Sequence, residues 1–127
     1  MKKTIIVMPV ANEEATMEKV LQQILALPYD NLYIYPVVDN YSKDNTEKII
    51  RDFEMKTDKV KCIFYKESYG VISCYLEGFR RALADGAECI LEMEEVVILH
   101  RKYRSLLKNW KKDMTASGVQ DLLREEK

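Results

Sequence analysis

Several common functional signatures are missing from this chain of 127 residues. No GxGxxG, GxxxxGK[ST] or GxSxG occurs, which excludes a dinucleotide fingerprint, a P-loop and a hydrolase nucleophile elbow. The single histidine, His100, leaves little room for a serine or cysteine triad. The chemistry must therefore be sought among other polar residues.

Long apolar runs and an excess of charge are absent as well. After a short basic start, the apolar run Thr4–Val10 is too short for a signal peptide or a membrane span. With 20 basic and 21 acidic residues, the chain has no polybasic surface for nucleic acid or membranes. Cys62, Cys74 and Cys89 lack metal-type spacing and are expected to be buried free thiols. We therefore expect one soluble, cytoplasmic domain over residues 1–127.

Apolar strands and amphipathic helices alternate along the chain. The predicted strands are Ile5–Val10, Leu32–Val38, Val60–Tyr65 and Cys89–Met93. The helical stripes between them are Met17, Val20, Leu21, Ile24 and Leu25, then Ile49, Ile50 and Phe53, then Ile72, Leu76, Phe79 and Leu83. Because the first strands are continuously apolar, both faces of the sheet are expected to be covered. The pattern predicts a three-layer, Rossmann-like α/β fold with a mostly parallel sheet.

Three local features refine this pattern. Asp44 with Glu47 resembles a capping box at the start of the second helix. Pro36 removes a hydrogen-bond donor from the second strand, so either a bulge lies there or that strand pairs poorly on one side. A last helical stripe, expected to cover the sheet, comprises Tyr103, Leu106, Leu107, Trp110 and Met114.

Polar residues follow the predicted strands where each of them ends. Asn12–Glu14 follow the first strand, Asp39–Asn40 the second, and acids of Glu92–Glu95 surround the end of the fourth. Ligands of open α/β sheets bind just beyond these carboxyl ends, so Asp39 indicates an acceptor for a base or a sugar hydroxyl. Two plainer interpretations remain open: Asp39 as an exposed turn acid, and the glutamates after Asn12 as first-turn acids that favour the helix dipole.

Two segments at these strand ends resemble a known family. IIVMPVANEE at Ile5–Glu14 and VVDNYSKDNTEKII at Val37–Ile50 resemble the opening of family-2 glycosyltransferases. That family has P-x-x-N-E at the end of its first strand and V-V-D-[DN]-x-S-x-D-x-T leading into its second helix. The similarity extends over about Thr4 to Glu95. It implies the nucleotide-sugar-binding glycosyltransferase A-type fold, with strands in the order 3-2-1-4.

The resemblance also implies roles for single residues. Pro9 and Val10 are expected beside the nucleobase and ribose, Asn12 and Glu13 at the edge of the same pocket, and Asp39 as an acceptor from the base. The implied partners are a nucleotide-diphosphate sugar and an unidentified acceptor. The implied reaction is sugar transfer with inversion by direct displacement, and no residue is assigned as catalytic base.

The metal motif departs from the family pattern. Its two acids, which hold Mg²⁺ or Mn²⁺ against the donor phosphates, fall on Glu94 and Val96, and valine cannot ligate. Glu94 alone is the candidate metal ligand. A second hypothesis is therefore a degenerate homologue, a nucleotide-binding or assembly module without transferase activity. Its open sheet edge also raises the hypothesis of a homo-oligomer.

Overall fold

The computed structural model describes residues 2–93 and contains four strands and three helices. The strands are β1 Thr4–Val10, β2 Leu32–Asp39, β3 Ile63–Tyr65 and β4 Cys89–Glu92. The helices are α1 Met17–Leu25, α2 Thr46–Lys56 and α3 Val71–Ala84. All strand pairs are parallel, in the order β3-β2-β1-β4. The predicted α/β class and strand order are confirmed, whereas Glu94, Val96, His100 and the stripe from Tyr103 to Met114 lie outside the described residues.

The central strands are covered on both faces, as their continuous apolar sequence predicts. Side chains alternate between the two faces of a strand. Ile6 and Met8 therefore join α1 and α2 in one apolar cluster, while Ile5 and Val7 pack with α3 in another. All four side chains are fully buried. Alternate side chains of β1 therefore belong to two separate cores, one on each side of the sheet.

Helix α3 buries a different face from the predicted one. Its buried residues are Ser73, Cys74, Gly78 and Ala82. Three members of the predicted stripe point outward instead, with Ile72, Leu76 and Leu83 being 70%, 54% and 64% exposed, whereas Phe79 is half-buried against the core. Apolar periodicity thus located the helix correctly, but its prediction of the buried face was wrong for these three residues.

Close packing of α3 on the sheet explains this choice of face. A Cβ atom added to Gly78 would lie 2.2 Å from Cγ1 of Val7 and 3.1 Å from Cγ2 of Val37. Only small side chains fit between a helix and a sheet at such a distance, because protein interiors are close-packed. Small residues therefore occupy the line of closest approach, while Tyr75 and Phe79 pack against the cluster beside it.

Pro36 interrupts the pairing of β2 with β3 and does so without a bulge. Ile34 forms an isolated bridge with Val60, and regular pairing resumes at Val37 with Ile63. The two paired segments both advance by three residues between these points, so no extra residue is inserted. The backbone N–H and carbonyl of Ile34 form hydrogen bonds with Lys59 and Lys61, which precede β3. The backbone of Pro36, two residues further along β2, points toward the same neighbour but has no N–H to donate. Of the two alternatives, one-sided poor pairing is confirmed, and β3 is shorter than predicted.

The three cysteines, Cys62, Cys74 and Cys89, are free and buried, as predicted. Burial raises the pKa of the Cys62 thiol to about 12, so this group stays protonated at neutral pH. Within residues 2–93, no helix combines the length and the apolar character that crossing a membrane requires.

Gly78→Ala is expected to lower the free energy of unfolding by about 1–3 kcal/mol through overpacking, although alanine favours helices by ~1 kcal/mol. Denaturant titration measures this change. In a Val7→Ala background the nearest clashing atom is absent, and the penalty should shrink. An identical penalty in both backgrounds would contradict the packing argument.

Candidate functional site

The carboxyl ends of β1 and β2 lie side by side at one edge of the sheet. Val10 is in register with Val38, so Asp39 follows directly beside the end of β1. Asp39 is only 6% exposed, and its Oδ1 accepts the backbone N–H of Asn40 at 2.8 Å. The interpretation of Asp39 as an exposed turn acid is therefore wrong. A carboxylate is held here at the sheet edge where α/β proteins bind their ligands.

The thiol of Cys74, on α3, lies against Asp39. Burial raises the pKa of this thiol to about 11, and the neighbouring carboxylate of Asp39 adds to the rise. Ser68 Oγ, 3.3 Å from the sulfur, acts in the opposite direction. Since the thiol is protonated at neutral pH, Asp39 has a neutral donor beside it rather than a second negative charge.

Asn40 connects the end of β2 to the loop before α3. Its Nδ2 donates to the carbonyl oxygens of Lys66 and Ser68, at 2.9 Å each. Ser73, in the first turn of α3, donates from Oγ to the carbonyl of Gly70 at 2.6 Å. The loop that leads into α3 is thereby fixed beside Asp39.

Asn12 connects the loop after β1 to the loop after β2. Its N–H donates to Ser42 Oγ at 3.0 Å, and its Oδ1 accepts the N–H of Lys43 at 2.8 Å. The φ of Asn12 is 54°, in the left-handed region that asparagine tolerates better than most residues. The asparagine of P-x-x-N-E thus has a clear role in shaping the loop.

The S-x-D-x-T segment completes this connection. Thr46 Oγ1 accepts the N–H of Glu13 at 2.8 Å, and Asp44 Oδ2 accepts the N–H of Glu14 at 3.1 Å. In return, Glu14 Oε2 accepts the N–H of Asn45 at 3.3 Å. The Thr46 hydroxyl, fully buried, also donates to Asp44. Reciprocal hydrogen bonds therefore hold the two loops together as one unit.

Asp44 is held in its charged form by these donors. Partial desolvation tends to raise the pKa of its carboxyl group, but the hydrogen bonds from Thr46 and Glu14 prevail and lower that pKa below its ordinary value. The carboxylate thus remains an acceptor for both loops at neutral pH.

The predicted capping box is present only in part. Helix α2 begins at Thr46, and Asp44 Oδ1 accepts the N–H of that residue at 2.9 Å. Glu47 does not complete the box, because its carboxylate instead accepts a hydrogen bond from Nε of Arg51 at 2.8 Å. Asp44 therefore binds the backbone at the start of the helix, whereas Glu47 forms an ion pair with Arg51 on the helix surface.

The interpretation of Glu13 and Glu14 as first-turn acids is wrong. Helix α1 begins at Met17, and the acidic residue of its first turn is Glu18. Both glutamates precede the helix and belong to the loop connection, so the helix dipole does not account for their presence.

The described residues do not supply a metal site. Among residues 2–93, no group of three or more His, Cys, Asp or Glu side chains could hold a metal ion. The end of β4 lies close to β1, since Glu92 pairs with Val7 and Met93 N–H donates to the Val7 carbonyl at 3.1 Å. Glu94, the predicted ligand, follows directly but lies outside the described range.

A cavity lies toward the opposite edge of the sheet. This cavity of about 350 Å³ is lined by Ile24, Leu25, Leu27, Pro28, Tyr29, Asp30, Leu32, Ile34 and Lys59. The Lys59 ammonium donates to the carbonyl of Asp30. The lining combines apolar side chains with polar groups and lies at the amino end of β2, at the other end of that strand from Asp39.

The sequence profile of glycosyl transferase family 2 matches residues 5–116, most of the chain. The chain belongs to this family. Its fold is that of the A-type glycosyltransferases, since it superposes on the mannosyltransferase PcManGT from Pyrobaculum calidifontis, solved in complex with GDP-Man and Mn²⁺. The TM-score is 0.64 at 18% identity, over 74% of this chain and 27% of that chain. The chain thus spans about a quarter of the length of that mannosyltransferase, and no curated protein matches it.

Thr46→Val is expected to destabilise the protein by about 1–3 kcal/mol, because Glu13 and Asp44 lose a buried partner. Thr46→Ser keeps the hydroxyl and should cost no more than about 1 kcal/mol, for one methyl group. Chemical denaturation of the two variants makes the comparison. Equal losses would show that the methyl group, and not the hydroxyl, matters here.

Alkaline pH is expected to destabilise the protein through Cys74. The unfolded thiol ionises near its ordinary pKa of 9.0, whereas the folded thiol stays protonated up to about 11, so stability falls as the pH rises between these values. The unfolding free energy of Cys74→Ala should fall less steeply over the same interval. Parallel curves for the two proteins would contradict this assignment.

Proposed function

We propose that this domain binds a nucleotide-diphosphate sugar at the carboxyl edge between β1 and β2. Asp39 accepts a hydrogen bond from the nucleobase. The observation that carries the proposal is the buried carboxylate of Asp39 at the end of β2, in a chain of a glycosyltransferase family. Such an acceptor, shielded from water, discriminates strongly for a ligand that offers a matching donor.

The neighbouring residues contribute to the pocket in different ways. Pro9, partly exposed, and Val10, 4% exposed, form the wall beside the base and the ribose. Asn12 acts through the loop it holds, since its carboxamide oxygen accepts the N–H of Lys43. Glu13, half-buried, lies at the rim. These roles are supported by the common location of the residues at the ends of β1 and β2.

The proposed reaction is the transfer of the sugar to an acceptor with inversion. The acceptor hydroxyl oxygen attacks the anomeric carbon from the face opposite the diphosphate and loses its proton to a general base that is not assigned to a residue. The bond from that carbon to the diphosphate oxygen breaks, and the nucleoside diphosphate leaves with the electron pair. No step is assigned to a cation, because residues 2–93 contain no cluster that could bind one. Glu94 stays the predicted ligand for Mg²⁺ or Mn²⁺.

A binding module without transferase activity is the second candidate. Val96 favours it, because this residue occupies the place of the second metal-binding acid in the family motif. An assay for hydrolysis of the donor sugar separates the two candidates, since only an active enzyme releases the sugar. A reducing, cytoplasmic location belongs to both proposals and is supported by the three buried free thiols.

Calorimetric titration with nucleoside diphosphates tests the donor site. Asp39→Asn is expected to weaken binding at least ~10-fold, because a hydrogen bond to a charged acceptor is worth ~1.5–3 kcal/mol. Asp52→Asn, at an exposed position on α2, is the matched control and should bind as the unaltered protein does.

The titration is repeated with Mn²⁺ and with Mg²⁺. Tighter binding in their presence would support a metal-assisted donor site, and indifference to both would favour the module without activity. Equal affinity of Asp39→Asn and the unaltered protein would refute the role of Asp39.

A further inference from the structure

We propose that the outward apolar stripe of α3 is the docking surface for residues 103–114 of the same chain. The stripe consists of Ile72, Leu76, Phe79 and Leu83. This inference does not depend on the nucleotide proposal, since Ile72, Leu76 and Leu83 point away from the sheet and Phe79, half-buried against the core on that face of the sheet, borders them.

The stripe is a continuous apolar surface. Residues three and four positions apart share one side of a helix, so its four members lie in a row along three turns. Ile72, Leu76 and Leu83 are each more than half exposed. Phe79 stacks on Tyr75, with ring centroids 6.0 Å apart, and this widens the surface toward β4. Contiguous apolar surfaces of this kind mark an interaction site.

The last described residue, Met93, lies beside this surface. Tyr75 donates its hydroxyl to the carbonyl of Met93 at 3.2 Å. Residues 94–102, fully extended, reach ~30 Å, whereas the stripe is only ~17 Å long. A segment that begins at Tyr103 can therefore lie along the whole stripe.

The two stripes have the same spacing. Steps of four, three and four residues separate the members of the α3 stripe, and the same steps separate Tyr103, Leu107, Trp110 and Met114. This is the spacing of the seam along which two helices pack side by side. Basic residues precede and separate them, at Lys102, Arg104, Lys108, Lys111 and Lys112. The sequence pattern of this segment thus combines an apolar stripe with charged positions.

Attachment to the same chain favours this occupant over a second copy. A tethered segment has a high effective concentration at its docking surface, in the millimolar range for short connections. A second copy would have to compete at its own, lower concentration. The oligomeric state is therefore an outcome of the test.

Trp110 is the only tryptophan, so its fluorescence reports on the segment alone. Docking predicts a blue-shifted emission maximum that is independent of protein concentration. Leu76→Lys should shift the maximum toward that of tryptophan in water, whereas Met55→Lys, at an 86% exposed position on α2, should leave it unchanged. Circular dichroism confirms that each variant retains its fold, which is expected because both positions are exposed.

A disulfide between engineered cysteines tests the same contact independently. The double variant with Leu76→Cys and Leu107→Cys should form a disulfide within one chain on oxidation. The oxidised protein should remain a monomer and migrate faster on a non-reducing gel. The pair Met55→Cys with Leu107→Cys should not form such a disulfide. The native cysteines do not compete, because all three are buried.

Three results would overturn the proposal. They are a water-like emission maximum in the unaltered protein, a maximum that Leu76→Lys leaves in place, and a disulfide that forms only between two chains. The last result, together with a doubled mass in light scattering, would identify a second copy as the occupant.

Discussion

The site depends on a connection between two loops, and the Thr46 hydroxyl lies at its centre. It accepts the N–H of Glu13 from the loop after β1 and donates to Asp44 in the loop after β2. Parallel pairing brings the two strand ends to one edge but does not determine the paths of the loops that follow. Because short polar side chains bond to the facing backbone, the loops form one unit, and the pocket edge exists before any ligand binds. Such preorganisation lowers the cost of binding.

The connection separates two kinds of motif residue. Asn12, Asp44 and Thr46 satisfy backbone groups of the facing loop, which explains why short polar residues occur at those positions. Asp39 is different, because it is buried at the strand end and, among residues 2–93, has the Asn40 N–H and the protonated Cys74 thiol beside its carboxylate. A carboxylate in this environment has acceptor capacity left for a ligand. The chain thus combines a structural set of polar residues with one residue suited to recognition.

Much of the fold could be predicted from the sequence, for physical reasons that differ between elements. Continuous apolar sequence in β1 predicts burial on both faces, and Ile5 and Ile6 confirm it. The strand order came from the family resemblance. The predicted buried face of α3 was wrong for Ile72, Leu76 and Leu83. Periodicity reports which residues share a side but not how closely the helix approaches the sheet, and Gly78 determines that approach. The partners of Asn12 and Thr46 belong to another loop, and no local pattern reveals contacts across thirty or more residues, although S-x-D-x-T contains both Ser42 and Thr46.

A nuclear magnetic resonance titration with nucleoside diphosphates tests whether the carboxyl edge around Asp39 is the nucleotide pocket. The amide signals of Ala11 and Asn40 are expected to shift with the ligand, while those of Asp30 and Gly86, at the opposite edge of the sheet, stay in place. Shifts centred on the cavity lined by Leu25, Tyr29 and Lys59, with none at Asn40, would contradict it.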